Sequence, residues 1–238
     1  AYFGRASREL FQPRREAASR VERSVAAMRG PQRRPLIGVH VRSRFVCDHS
    51  LANRKIRIDG PSLRRQLVAC WTKYFGPCVR RLQRQLNGTA RVYVSADTVE
   101  MRGVARSDLG EAWWAEPPPH LALPTFETVE LWRRGRDQVV SALDELLILT
   151  HVDALIVNDL SKSTYGAVAA SWAAANAAGL TPSAQKSSWL GTYRARAGCT
   201  RVPDGGEDPI PTGIRLPARY GNHRRNQSEA RRAADRAG

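Results

Sequence analysis

The chain has 238 residues, 42% of them hydrophobic and 25% charged, which suits one large or two small globular domains with a substantial core. No apolar run approaches the roughly 20 residues that a membrane-spanning helix needs, so no such segment is expected within this sequence. The net charge of +16 indicates either a polyanionic partner or a general preference for Arg. Of the 38 basic residues 34 are Arg, spread along the chain, so the second interpretation is favoured and no nucleic-acid partner is expected.

Hydrophobic periodicity predicts helices alternating with strands from the start of the chain to about residue 180. The first strand is a nearly continuous apolar run, which is typical of a strand buried on both faces. Gly76-Pro77 is expected to kink the second helical stretch or divide it into two helices. In chain order, the predicted elements are a helix at 6–29, a strand at 36–41, a loop at 43–60, a helical stretch at 61–87, a strand at 91–95, a short helix at 98–106, a loop at 107–124, a strand at 125–131, a helix at 135–151, a strand at 153–158 and a helix at 163–178.

This alternation is the signature of an α/β fold, a doubly wound, mostly parallel sheet with helices on both faces. Residues 1–200 are predicted to form that domain. Residues 201–238 lack apolar periodicity and are predicted to be a loop followed by an Arg-rich, disordered tail. Because ligands bind at the carboxyl ends of the strands in open parallel sheets, the residues that directly follow each strand are the candidate site.

The end of the first strand carries His40 and Arg42, which the two-residue strand period places on the same face. Arg42 offers a planar fork suited to two phosphate oxygens, but it could equally be one more solvated Arg. His40 is either a ligand-binding partner of Arg42 or a core histidine. A basic residue at this strand end predicts an anionic ligand.

Polar residues also follow the second and later strands. Asp97 could accept hydrogens from a guanine edge or a ribose hydroxyl, or could cap the helix at 98–106. Ser163 and Thr164 stand where a strand passes into a helix N-terminus, which is a natural anion site and also a place for ordinary capping. These residues together predict a nucleotide or another phosphate-bearing ligand.

The familiar phosphate-binding signatures are missing from the sequence. There is no Gly-x-Gly-x-x-Gly or Gly-x4-Gly-Lys-Ser/Thr loop, and no Asp-x-Asp pair for a metal-chelated sugar nucleotide. An Arg and a helix N-terminus would therefore have to hold the phosphates, and neither a metal nor another cofactor is expected.

The four cysteines, Cys47, Cys70, Cys78 and Cys199, match no zinc-ligand spacing. They could form two disulfides in an oxidising compartment, or serve as small apolar residues on their helices. Two Asn-x-Ser/Thr sequons, at 87–89 and 226–228, favour the secretory pathway slightly.

Three motifs resemble those of the GDP-fucose fucosyltransferases with a GT-B fold, a group that includes the core, protein-O- and xyloglucan fucosyltransferases. Residues 37–42 (IGVHVR) look like the first motif and residues 92–97 (VYVSAD) like the second. The strand at 153–157 followed by 163–166 (STYG) resembles the third, closest to the xyloglucan type. The resemblance covers roughly residues 8–180 and implies a Rossmann-like, donor-binding, C-terminal half of a GT-B enzyme.

By this resemblance Arg42 is the catalytic residue and holds the β-phosphate of GDP-fucose, while His40 and Asp97 read the guanine and ribose. Ser163 and Thr164 bind the pyrophosphate. The implied activity is metal-independent, inverting fucose transfer to a glycan or glycoprotein acceptor in the Golgi lumen. Any acceptor domain or membrane anchor would lie upstream of residue 1.

The sequence departs from the family at two points. Many members carry a second Arg directly after the first, where this chain has Ser43; Arg44 would face the opposite way, and Lys162 is an alternative cation. Only the donor half is expected in this sequence, so the alternative function is a non-catalytic, glycosyltransferase-derived domain or a basic domain that binds a polyanion or nucleic acid. Asp48 and His49 are the candidates for a catalytic base.

Overall fold

A computed structural model of the chain describes residues 15–43, 47, 60–121, 131–158, 164–177 and 189–202. All of these lie within Ala1–Gly206, the first of the two units into which the chain divides. Its helices and strands, in chain order, are α1 (Arg15–Arg29), β1 (Leu36–Val41), α2 (Gly60–Cys70), a π-helical turn (Trp71–Phe75), α3 (Gly76–Gln85), β2 (Arg91–Ala96), α4 (Val99–Trp113), a 3-10 turn (Pro119–Leu121), α5 (Leu131–Leu149), β3 (Ala154–Val157), α6 (Thr164–Ala177), β4 (Gly191–Arg194), a 3-10 turn (Ala195–Ala197) and β5 (Thr200–Val202).

The strands form one five-stranded sheet in the order β2-β1-β3-β4-β5. The first four are parallel, and only β5 runs antiparallel to its neighbour β4. Every residue of β1 is buried, as its unbroken apolar run predicts. The expected α/β fold with a mostly parallel sheet is confirmed.

Helices cover both faces of this sheet, so two hydrophobic clusters sandwich it. One cluster packs residues of α2, α3 and α4 against alternate strand residues such as Val39 and Val94. The other packs α1, α5 and α6 against the opposite set, which includes Tyr93 and Leu155. The helices after β1 and after β3 therefore lie on opposite faces, and the winding direction changes between these two neighbouring strands.

Glycine in the middle of β1 allows the turn between α5 and β3 to approach the sheet closely. A Cβ atom added at Gly38 would lie only 2.9 Å from Val152 Cγ1 and 3.0 Å from Leu149 Cδ2. Both neighbours are fully buried, so neither has space to move away. Gly38 faces the same side of the sheet as His40, two residues later.

The helical stretch after β1 is divided where the sequence predicts. Pro77 lies in the first turn of α3, where its missing N–H is tolerated, and a π-helical turn joins α2 to α3. Trp71 and Phe75 in that turn are buried against the sheet.

Two predicted elements differ from the structure, and one pair of strands was not predicted. The loop predicted at 107–124 is helical as far as Trp113, and α4 is interrupted only at Gly110, whose φ is 64°. The strand predicted at 125–131 is wrong at Leu131, which begins α5, and its other residues lie outside the described part. The pair β4 and β5 was not predicted, and β5 reaches Val202, past the expected domain end at residue 200.

Two disulfides join the described cysteines, so the interpretation of these residues as small apolar thiols is wrong. Cys47 pairs with Cys70, and Cys78 pairs with Cys199. The first joins the segment after β1 to α2, and the second joins α3 to the turn between β4 and β5. In the described ranges, no helix is both long and apolar enough to cross a membrane.

Candidate functional site

The carboxyl ends of β1 and β3 meet at the point where the sheet reverses its winding, which is where ligands bind in doubly wound folds. His40 of β1 is in register with Val157 of β3 and with Ser95 of β2. The side-chain amide of Asn158, directly after β3, donates a hydrogen bond to the carbonyl oxygen of Arg42 at 3.3 Å. The two strand ends are thus tied together beside the first candidate cation.

Arg42 and His40 lie close enough to influence each other electrostatically. Arg42 is half-buried, whereas His40 is only 7% exposed. Burial, reinforced by the positive charge of Arg42, lowers the pKa of His40 to about 4. The imidazole is therefore neutral at physiological pH, so it can donate or accept a hydrogen bond without adding charge beside the guanidinium.

The first and third sequence motifs meet in the structure through two aromatic rings. Tyr165 of α6 lies with its ring centroid 4.9 Å from that of His40, at an interplanar angle of 33°. Its hydroxyl donates to the carbonyl oxygen of Ala142 in α5 at 2.7 Å, and burial raises its pKa well above the ordinary value. Tyr165 thus remains protonated and fixes the start of α6 against both α5 and β1.

Asp97, directly after β2, fixes the chain segment that follows Arg42. Its Oδ1 accepts hydrogen bonds from the backbone N–H of Ser43, at 2.9 Å, and from the Ser43 hydroxyl. Ser43 is fully buried, so the position that carries a second Arg in the resembled family here has a structural contact.

The alternative interpretation of Asp97 as a helix cap is wrong. The N-cap of α4 is Thr98, whose hydroxyl oxygen accepts from the backbone N–H of Met101 at 3.2 Å. Asp97 therefore belongs to the strand-end cluster with His40 and Arg42.

The predicted anion site at the third strand end is described only in its backbone. The helix α6 begins at Thr164 and has 14 residues, so the N–H groups of its first turn have no carbonyl partner within the helix itself. The side chain of Thr164 and all of Ser163 lie outside the described part. The same is true of Lys162, Arg44 and the proposed bases Asp48 and His49.

A buried ionic network lies beneath this cluster on the α5 side of the sheet. Glu145 accepts a hydrogen bond from the hydroxyl of Ser95 at 2.9 Å and pairs with Arg102 of α4, which also donates to the carbonyl oxygen of Leu121. Since Ser95 is the register partner of His40, this network fixes the strand end on which the candidate site rests.

Sequence reasoning missed Asn158, Tyr165 and Ser43 as parts of the site. Asn158 directly follows a predicted strand and could have been chosen by the rule that selected Asp97. Tyr165 lies inside a motif but faces a histidine 125 positions away, and no local pattern reveals that contact.

Neither a metal cluster nor a known relative identifies the site. Over the described ranges, no three His, Cys, Asp or Glu side chains come together as a metal would require. No protein-family model matches the chain, and no curated protein matches it.

Proposed function

We propose that this chain is the donor-binding domain of a fucosyltransferase-like, GT-B glycosyltransferase that binds GDP-fucose and transfers fucose with inversion, without a metal, to a glycan or glycoprotein in the Golgi lumen. The observation that carries the proposal is the position of Arg42 and His40 at the reversal point between β1 and β3. The three motif resemblances select GDP-fucose among the anionic ligands that such a site can hold.

The arrangement supports a division of roles among these residues. Breaking the bond to fucose leaves negative charge on the β-phosphate of GDP, which a fixed guanidinium at Arg42 stabilises. Neutral His40 adds a hydrogen-bonding group without competing for that charge. Asp97 accepts a hydrogen bond from a ribose hydroxyl or a guanine N–H, and the N-terminus of α6 supplies backbone N–H groups to the pyrophosphate.

Arg42 is the residue whose removal tests the proposal. Because a charge-assisted hydrogen bond contributes about 1.5–3 kcal/mol, Arg42→Ala is expected to weaken GDP binding roughly 10- to 150-fold by titration calorimetry. Arg42→Lys is expected to lose nearly as much, since a point charge does not reproduce a bidentate fork. The parent protein should prefer GDP over UDP and ADP, and should do so in EDTA.

An exposed arginine of the same sheet domain provides the control. Arg106 of α4 pairs with Glu111 at 3.0 Å on the surface, so Arg106→Ala is expected to bind GDP like the parent. A folded Arg42→Ala variant with unchanged GDP affinity, or equal binding of all three nucleotides by the parent, would contradict the proposal.

A further inference from the structure

The outer surface of α2 and the π-helical turn is strongly positive. Residues 60–96, which run from α2 to the end of β2, contain seven Arg and Lys residues and no Asp or Glu. The buried side of this stretch packs on the sheet through residues such as Leu67 and Trp71, and Arg64, Arg65 and Lys73 are exposed on its outer side. These three cations give α2 and the π-helical turn a positive outer surface, whereas Arg80 pairs with Asp108 and Arg91 donates to the carbonyl oxygen of Trp114.

A shallow depression runs along this surface, which we call the α2 basic face. It is lined by Arg64, Arg65, Val68, Ala69, Thr72 and Lys73, all of them exposed. The arginine pair and Lys73 are eight to nine residues apart, which places the two cationic ends roughly 13 Å from each other along a helix. A ligand that contacts both ends must be extended and carry more than one negative charge.

One further cation, Arg196, continues the α2 basic face at its Lys73 end. The ammonium of Lys73 lies 5.2 Å from the ring centroid of Tyr74, and the guanidinium of Arg196 lies 5.5 Å from the same ring. The two cations lower the pKa of the Tyr74 hydroxyl. Tyr74 thus holds Arg196, from the turn between β4 and β5, beside a helix that is far away in sequence.

We infer that the α2 basic face is a second binding site, for an acidic polysaccharide with sulfate or carboxylate groups along its length. The inference does not rest on the nucleotide site, since it uses a different surface and different residues.

Two observations favour an acidic polysaccharide over other polyanions. Both described disulfides are of the kind that persists in oxidising, secretory surroundings, where glycans rather than nucleic acids supply repeated negative charge. The face also lacks the broad apolar surface of a membrane-bound helix, because Val68, at 43% exposed, is its one large exposed apolar side chain.

The test is salt elution of the intact chain from a heparin column, with solution affinities measured for dextran sulfate. The triple variant Arg64→Gln, Arg65→Gln, Lys73→Gln neutralises the face and is expected to lower the affinity for dextran sulfate about tenfold. The loss is moderate because each exposed ion pair contributes little to binding and three are removed. The slope of log affinity against log salt should fall by roughly two to three, because fewer counterions are displaced.

The matched control removes the same three charges from the opposite side of the sheet. Arg15, Arg23 and Arg33 are exposed on or just after α1, and their Gln variants should keep most of the affinity. A charge-preserving variant, Arg64→Lys with Arg65→Lys, should bind like the parent, and thermal melting checks that each variant folds. If the neutralised variant is unstable, Lys73→Gln alone is used, with a smaller loss of about twofold expected.

The outcomes distinguish binding at the α2 basic face from binding through the overall positive charge of the chain. They also distinguish a polysaccharide from RNA and from lipid as the ligand. Equal losses in the two triple variants, or no loss in the neutralised face, overturn the site. Stronger competition by single-stranded RNA or anionic lipid vesicles than by dextran sulfate, at equal concentrations of negative groups, overturns the polysaccharide assignment. Binding to neutral dextran overturns the electrostatic argument.

Discussion

His40 shows how one residue can be both a core residue and part of a candidate site. It is 7% exposed in a fully buried strand, yet its ring lies beside Tyr165 and within the electrostatic influence of Arg42. A buried neutral imidazole next to a guanidinium keeps the positive charge on one defined group. The same burial makes the folded state sensitive to acid, because the histidine would have to be protonated inside the protein.

The stability of the protein should therefore fall in mild acid through His40. Its pKa is about 4 in the folded chain and roughly 6.5 when unfolded, so the unfolded state binds the proton first. Above pH 6.5 His40 does not lower the free energy of unfolding. As the pH falls toward 4 it lowers this free energy progressively, by about 2–3 kcal/mol near pH 4.5. Urea denaturation at pH 7 and pH 4.5 measures it.

The variant His40→Gln isolates this effect from the other groups that titrate in acid. Its free energy of unfolding should fall by about 2–3 kcal/mol less than that of the parent between the two pH values. Equal losses in both proteins would mean that His40 is not held neutral by burial.

At the scale of elements, β1 pairs with β2 and β3 along its two edges, and the turn between α5 and β3 packs closely on one of its faces. Gly38 accepts Leu149 and Val152 where a methyl group would overlap them. Gly38→Ala is therefore expected to lower the free energy of unfolding by about 1–3 kcal/mol, as overpacked core substitutions do. Chemical denaturation of the folded variant provides the measurement.

Gly103 in α4 supplies the opposite case. Nothing lies within 4 Å of a Cβ added there, so Gly103→Ala should stabilise the helix by about 0.5–1 kcal/mol. If Gly38→Ala were as well tolerated as Gly103→Ala, the close approach of the α5–β3 turn would be wrong.

The predictable elements are those whose burial requires a long apolar run or a repeated apolar pattern in the sequence. The strands β1, β2 and β3 are apolar runs with a helix pattern between them, and Gly76-Pro77 marks the division between α2 and α3. The strands β4 and β5 have only four and three residues, too few to show alternation. The end of α4 was missed because Trp113-Trp114 and the prolines at 117–119 suggest a loop, although the helix continues to Trp113 and the prolines follow its end.

The candidate site was predictable to the same degree. Residues that directly follow strands, such as Arg42 and Asp97, are found once the strands are known, because parallel strands end at one edge. The contact of Ser43 with Asp97 and that of His40 with Tyr165 join positions 54 and 125 residues apart. Such contacts depend on how elements pack and leave no trace in local sequence.

At the scale of the whole molecule, two disulfides with very different sequence separations lie in the same hydrophobic cluster. The two cysteines of the Cys47–Cys70 disulfide are 23 positions apart in the sequence, and those of Cys78–Cys199 are 121 positions apart. In the chain-entropy account, the longer loop restrains the unfolded chain more, by about 1.5 kcal/mol for this ratio of lengths. Replacing Cys78 and Cys199 by Ser should thus destabilise the fold more than replacing the other pair.

Thermal or urea unfolding of the two double variants, compared with the parent under oxidising conditions, measures this difference. Each variant removes two sulfur atoms from the same cluster, so the lost packing is similar. A larger loss on removal of the short-span pair would contradict the chain-entropy account of these two disulfides.

The position of β1 inside the sheet has a consequence for biosynthesis. Its two partners, β2 and β3, are translated later, and β3 is complete only at Val157, 116 residues after Val41. At typical rates of synthesis the nascent chain carries this apolar strand, with one hydrogen-bonding edge open, for on the order of ten seconds. Premature termination between β2 and β3 would leave that edge permanently available to other chains. Chains that end between β2 and β3 are therefore expected to aggregate more readily than the full-length chain, and light scattering of the two forms at equal concentration measures the difference.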